Sequence, residues 1–332
     1  MGVLVDFLLL TANVVGYIIQ SLVRWIKRPT EKRVTNEICL ITGTASAKGL
    51  GRLFALEFAQ RGATLVLWDI DADGNEKTAV QVRELGARAY AYTCDVSQRE
   101  DVYNTAQRVR QEVGDVTFLI NNAGVVAGKP ILQCSDELLE RTMKTNCHAH
   151  FWTVKAFMPK MMEMDHGHIV TVAGCLGLFA TAYVEDYCAS KFAVVGFHEA
   201  LSHQLKAKRA NGVKTTLVCP SLVNTGMFTG YRIRQELDAL LPSLQPGNCV
   251  KTAMKGILSN QPIICIPRAM YFAVVSKHLL PWDVQVLVYK FLGIDKCMYP
   301  FVRQRRRETS SDSNRKMKSG TCTNVTASGT LS

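Results

Sequence analysis

Residues 37–69 read EICLITGTASAKGLGRLFALEFAQRGATLVLWD. Glu37–Gly43 is a short apolar run ending in glycine, the pattern of a buried strand. A Gly-rich turn follows over Thr44–Gly51, and then an amphipathic helix is predicted over Arg52–Arg61. Ala63–Trp68 is a second apolar run, and it ends in Asp69. Strand, glycine turn, helix, strand and acidic residue, in that order, form a dinucleotide-binding pattern. Gly43, Gly49 and Gly51, with Leu50 between the last two, would let the backbone approach a pyrophosphate. The following helix N-terminus offers N–H groups and a favourable dipole to the same anion. Asp69 would accept from ribose hydroxyls and repel a 2′-phosphate, so NAD is expected, with NADP as the alternative. A tight turn with no ligand is the competing reading, and the flanking strands weigh against it.

The alternation continues along the chain. Ala89–Thr93 ends at Cys94-Asp95, and Val116–Ile120 ends at Asn121-Asn122-Ala123-Gly124. His168–Ala173 is a strand pattern, then comes a long helix pattern, then Lys214–Cys219 before Pro220. Strands alternating with helices imply an α/β fold with a doubly wound parallel sheet, Rossmann-type, in a single domain. Ligands of such sheets bind beyond the carboxyl ends of the strands, where Asp69, Asp95, Asn122, Gly174 and Pro220 all fall.

The long helix carries Tyr187-Cys188-Ala189-Ser190-Lys191, which places a phenol and an ammonium one turn apart on one face. A free phenol has a pKa of about 10 and is a poor base at neutral pH. A neighbouring Lys⁺ favours the phenolate, and the pair can then exchange a proton with an alcohol. Alone, such a pair is more often a solvated surface couple. Its weight comes from the nucleotide-binding pattern upstream.

With these motifs in order, the chain resembles the short-chain dehydrogenase/reductase family over about residues 37 to 230. The matching residues are the glycine turn, Asp95, Asn121–Gly124, Asn146, Tyr187, Lys191 and Thr225. Leu53–Gln60, Asn146–Thr153, Val184–Lys191 and Asp295–Phe301 are further similar to retinol-oxidising members. The resemblance implies roles. Tyr187 is the acid/base, Lys191 lowers its pKa and holds the nicotinamide ribose, and Asn146 anchors a relay water. Asn122, Ala123 and Gly124 back adenine and ribose, Asp95 contacts adenine, and Thr225 holds the carboxamide. The implied reaction oxidises all-trans-retinol to all-trans-retinal, feeding retinoic acid synthesis.

Two departures from the family stand out. The family serine about a dozen residues before the tyrosine is replaced by Gly174-Cys175. Gly174 has no side chain and Cys175 is only a weak donor to the substrate oxygen. Losing one such donor costs on the order of a hundredfold to a thousandfold. A cofactor-binding but catalytically weak partner of an active homologue is therefore the second expectation. Retinaldehyde reduction with NADPH is a third, disfavoured by Asp69. The other departure is the glycine turn, which is two residues longer between Gly43 and Gly49 than the family pattern. Either the loop bulges, or the strand slides so that Ala45 takes the first glycine position.

The formal charge is +11, concentrated at the ends of the chain. Residues 1–33 hold five Lys/Arg against two acids, and residues 303–332 hold seven against two. Basic ends beside apolar segments point to a membrane surface and not to nucleic acid. Val3–Val23 is long enough to span a bilayer, and Arg24, Lys27, Arg28, Lys32 and Arg33 follow it. The positive-inside rule then puts the body in the cytosol. A polar stripe of Asp6, Asn13, Tyr17, Gln20 and Arg24 suits a helix lying in the interface instead. The expected location is the endoplasmic reticulum membrane, with lipid droplets as a second site. The expected organisation is an anchor at 1–28, a basic linker at 29–36 and a catalytic domain at 37–265. An amphipathic membrane-facing segment at 266–302 and a basic disordered tail at 303–332 complete it. Eleven scattered cysteines without a C-x-x-C pair read as reduced buried thiols. No metal site is expected: Cys147, His148 and His150 lie too close together to share one helix face. Homo- or hetero-oligomers with related dehydrogenases are an open expectation.

Overall fold

The computed structural model of the chain describes residues 2–27, 29–232, 234, 236 and 243–307. Seven parallel strands form one sheet in the order β3-β2-β1-β4-β5-β6-β7. They are β1 (Ile38–Thr42), β2 (Thr64–Asp69), β3 (Ala89–Thr93), β4 (Phe118–Asn121), β5 (Gly167–Val172), β6 (Val213–Pro220) and β7 (Ile263–Ile266). The crossover helices are α2 (Leu50–Ala59), α3 (Ala72–Glu84), α4 (Arg99–Glu112), α6 (Ala149–Glu163), α7 (Glu185–Ala207) and α8 (Pro246–Leu258). A short α5 (Asp136–Met143) precedes α6 and is joined to it by one π-helical turn, Lys144–His148.

Both faces of the sheet are covered, which is why the strands read as unbroken apolar runs. Alternate residues enter opposite cores. Ile41, Leu65 and Leu67 pack with Phe54 and Phe58 of α2 and with Ile257 of α8. Leu40, Val66 and Trp68 pack with Val102 of α4, Phe157 of α6 and Leu205 of α7. The strand order reverses between β1 and β4, so a crevice opens at their carboxyl ends.

The question left by the lengthened glycine turn is decided by the register. Ile38–Thr42 pairs residue for residue with Thr64–Trp68, so the strand has not slid. Gly43 keeps the turn position at φ +75°, where a Cβ would stand 2.8 Å from Ala123 Cα. The loop bulges instead: Gly49 N–H donates to Ser46 O at 3.0 Å, and Ala45 turns inward. Arg52 Nη2 holds the bulge by donating to Ala45 O at 2.7 Å and Gly74 O at 3.1 Å.

Outside the sheet, α1 (Gly2–Ile26) is unburied over Gly2–Ser21, a stretch long and apolar enough to cross a membrane. Residues 29–36 are less free than a linker. Val34 is buried, and Lys32 donates its backbone N–H to Leu258 O at 2.9 Å. Lys32 Nζ lies 2.9 Å from His168 Nδ1 and 4.5 Å from the centre of the Phe118 ring. Beyond β7 come α9 (Met270–Leu279), α10 (Trp282–Leu292) and a last helix, α11, over 299–307. The tail expected to be disordered from 303 is thus helical as far as 307, because buried Met298 and Phe301 dock its start. The remainder of that tail, 308–332, lies outside the described residues. The ten described cysteines are free thiols, eight of them buried.

Candidate active site

A cleft of about 670 Å³ opens at the carboxyl ends of the central strands. Tyr187 and Lys191 on α7 form part of its wall. Around them come Gly174 and Cys175 after β5, Asn122–Gly124 after β4, and Thr225 after β6. At the other end lie Gly43, Gly49 and Leu50 of the glycine turn, with Asp69 at the end of β2. Three expected residues are not on the wall. Gly51 is buried behind it, where a Cβ would come within bonding distance of Gly43 O, so only glycine lets α2 start there. Asp95 stands apart and uses Oδ1 to accept from Ser97 N at 2.9 Å. Asn146 is fully buried in the π-helical turn.

Asn146 works from behind. Its Oδ1 accepts from Val125 N at 2.8 Å, and its Nδ2 donates to Val125 O at 2.9 Å and to Ser190 Oγ at 3.0 Å. Ser190 passes the chain on, donating to Tyr187 O at 2.7 Å. Both amide donors are therefore committed to protein, and only an Oδ1 lone pair remains for a relay water. Ser190 was not singled out in the sequence, although it lies within the Tyr–Lys motif; its role depends on a partner 44 positions away.

Tyr187 is 7% exposed, and burial pushes its phenol above the usual range, with the Cys175 and Cys188 thiols adding to the effect. The lowering by Lys191 expected from the spacing is not what the structure shows: burial dominates and the phenol rises. Lys191 Nζ stands 5.5 Å from the centre of the Tyr187 ring and donates to Val172 O at 3.1 Å. Burial lowers the Lys191 ammonium to about 8. Burial thus drives the two groups apart, leaving Tyr187 a protonated phenol and making Lys191 the easier of the pair to deprotonate.

Gly174 sits at φ +80°, ψ 167°, a conformation that side-chain-bearing residues rarely adopt. The space beside it is open, since the nearest atom to an added Cβ is Pro220 O at 3.9 Å. Asp69 is doubly engaged: Oδ2 accepts from Ala45 N at 2.8 Å and Oδ1 from Asp71 N at 3.0 Å. Its carboxylate therefore fastens the bulged loop as well as facing the cleft. Thr42, unnoticed in the sequence, locks the switch point by accepting from Asn122 N and Ala123 N, both at 3.0 Å. Phe228 was also missed. Its ring meets Tyr187 edge-on with centroids 5.3 Å apart.

Comparison with known proteins agrees with this geometry. Residues 37–236 match the short chain dehydrogenase family. Retinol dehydrogenase 10 of Xenopus tropicalis is 56% identical over 94% of this chain and 98% of its own length. The Homo sapiens protein of that name is 55% identical, with the same coverage. Among solved structures, a short chain dehydrogenase/reductase from Burkholderia phymatum in complex with NAD superposes with a TM-score of 0.67. It is 27% identical, covering 77% of this chain and 96% of that one. A short-chain dehydrogenase from Sphingobium yanoikuyae in complex with NADPH gives a TM-score of 0.63 at 25% identity, covering 73% and 94%. The chain belongs to the short-chain dehydrogenase family and is an NAD(P)-dependent oxidoreductase.

Proposed function

We propose that this chain is a membrane-bound enzyme that oxidises all-trans-retinol to all-trans-retinal, with NAD as the preferred cofactor, and so feeds retinoic acid synthesis. The observation that carries this reading is the identity of 56% to a retinol dehydrogenase 10 over nearly the whole of both chains. The cleft suits such a substrate: Leu138, Leu176, Leu222, Met227 and Phe228 make much of its wall apolar.

The residues fit a nicotinamide dinucleotide. The start of α2 has no side-chain cap, so N–H groups beside Gly49 and Leu50 are left for a pyrophosphate. Asp69 would take the adenosine ribose, and Gly124 keeps the wall flat next to Asn146 and Lys191: a Cβ there would stand 3.5 Å from Lys191 Nζ. Thr225 would hold the carboxamide. When bound, the nicotinamide would supply the hydride acceptor for the alcohol carbon. Tyr187 takes the hydroxyl proton, Lys191 exchanges it, and Asn146 and Ser190 hold the pair in register. With Gly174 bare, Cys175 is the nearest candidate donor to the substrate oxygen.

In the cell, α1 would anchor the chain in the endoplasmic reticulum membrane, with the basic residues after it holding the body on the cytosolic side. Lipid droplets are a second site for the same anchor. One observation favours a second reading. Gly174 offers no donor and its backbone resists a side chain, which suits a weakly active subunit paired with an active homologue. Turnover of retinol by membranes carrying the purified chain, with NAD⁺ and with NADP⁺, separates the readings. Absence of retinal with either cofactor would leave only the scaffold.

A further inference from the structure

The segment 294–307 straps the active-site loops together. Ile294 O accepts from Thr181 Oγ1 at 2.8 Å, on the loop after β5. Cys297 O accepts from Arg232 N at 3.1 Å, on the loop after β6. Arg306 Nη2 donates to Gln133 Oε1 at 2.6 Å, on the loop after β4. Phe301, 1% exposed, packs so tightly on Gly128 of that same loop that a Cβ at 128 would meet its ring at 2.9 Å. A run of ring contacts leads from this helix to the acid/base. The Arg305 guanidinium lies 5.7 Å from the Phe301 ring centre, Phe301 lies 5.5 Å from Phe228, and Phe228 lies 5.3 Å from Tyr187.

The outer side of the same helix is basic. Arg303, Arg305, Arg306 and Arg307 are exposed, and Arg305 also reaches the cleft. Helices α9 and α10, which precede it, expose large apolar side chains, among them Phe272, Leu279, Trp282 and Phe291 at 62–77%. Such a face is too apolar for water and too basic for a neutral protein surface. Charge complementarity names its occupant: a bilayer bearing anionic headgroups. The unburied Gly2–Ser21 of α1 is long and apolar enough to cross one.

Resting on the reading of this cleft as a membrane oxidoreductase, we propose that α11 senses anionic lipid: headgroups bound by its exposed arginines seat Phe301, and through it Phe228, against Tyr187, so that turnover depends on bilayer charge. A ligand shifts a conformational balance only by preferring one state. Here the state preferred would be the one in which α11 is seated with Arg303, Arg305, Arg306 and Arg307 exposed together.

The test uses the full chain in phosphatidylcholine vesicles with and without phosphatidylserine. The expected result is a several-fold higher kcat/KM with phosphatidylserine, lost at high salt as the charges are screened. Arg303→Gln with Arg307→Gln should abolish that gain while α1 keeps the chain bound and the rate on neutral vesicles stays unchanged. Two readouts need no turnover. Phosphatidylserine should protect 303–307 from trypsin and slow alkylation of Cys297, which is 2% exposed under the strap. If the chain proves inactive on retinol but these two effects appear, the lipid sensing stands and the substrate reading falls. Equal protection and equal alkylation on both vesicles would overturn the proposal. So would retention of the gain by the double variant, or the same gain from inorganic phosphate without phosphatidylserine.

Discussion

At the residue scale, the proposed chemistry rests on two groups, and a third is in dispute. Replacing Tyr187 by Phe removes the only phenol on the cleft wall among the described residues. Retinal formation should fall by roughly a hundredfold to ten-thousandfold in kcat, with the fold intact by circular dichroism; a variant within tenfold of wild type would remove Tyr187 from its role. Gly174→Ser brings in two terms. A well-placed donor to the developing oxyanion is worth roughly 3 kcal/mol. A serine at φ +80° costs about 1–3 kcal/mol of backbone strain. The strain is common to the ground and transition states of the folded enzyme, so it lowers Tm without opposing the donor, and kcat should rise by up to about a hundredfold. An unchanged rate together with a slower Cys175→Ala variant would identify the thiol as the working donor. For Asp69, steady-state kcat/KM with the two cofactors should favour NAD⁺, and a preference for NADP⁺ would restrict Asp69 to its loop-fastening bond with Ala45.

At the scale of the elements, α2 is set by a glycine contact and α1 by its exposed apolar surface. Gly51→Ala would drive a methyl into Gly43 O, and neither partner is a flexible side chain. The start of α2 and the glycine turn must then move apart, costing more than about 2 kcal/mol by chemical denaturation and weakening cofactor binding. Over Gly2–Ser21 helix α1 buries none of its side chains in the body. Deleting residues 1–28 should therefore leave the melting temperature nearly unchanged and release much of the protein from membranes. A truncated chain that stays fully membrane-bound would move the main anchor to α9 and α10. Retaining Lys32 and Val34 matters to this design, because both are docked on the body.

For the whole molecule, three buried histidines couple stability to pH. Burial lowers His150 to about 3 and His198 to about 4, and holds His168 well below its ordinary value. All three are neutral in the folded chain, whereas the unfolded chain protonates them near pH 6.5. Between about pH 6.5 and 4 the unfolded state therefore binds more protons, and stability falls as pH falls. The loss approaches about 1.4 kcal/mol per pH unit for each histidine. Lys191, lowered to about 8 from 10.5, contributes with the same sign between those values, but the buried thiols of Cys39, Cys94, Cys175 and Cys219, raised by burial, contribute with the opposite sign above about pH 9. Thermal melts from pH 4 to 8 should show the acidic slope, and His198→Gln should flatten it. A melting temperature that is flat below pH 6.5 would mean these imidazoles protonate in place.

The sequence by itself determined the sheet, because a strand buried on both faces must be an apolar run and its carboxyl end must carry the ligand groups. Glu37–Gly43, Ala63–Trp68 and His168–Ala173 each became a strand to within a residue or so. It also carried the tyrosine–lysine pair, since Tyr187 and Lys191 share a helix face by spacing alone, whereas Gly51, Asp95 and Asn146, also expected at the site, lie off the cleft wall. Strand β7 went unread: four apolar residues between two prolines carry no period of their own. Only the tertiary structure decided the rest. Whether the glycine turn bulges or β1 slides depends on pairing with β2, which no local pattern encodes. The phenol of Tyr187 is held above its ordinary range by how much of the molecule lies over it, a burial that the spacing to the lysine one turn away does not reveal. The role of Ser190, the docking of Lys32 and the strap of 294–307 over the loops each join residues more than forty positions apart. Such contacts arise from the packing of finished elements, so they are absent from any short stretch of the chain.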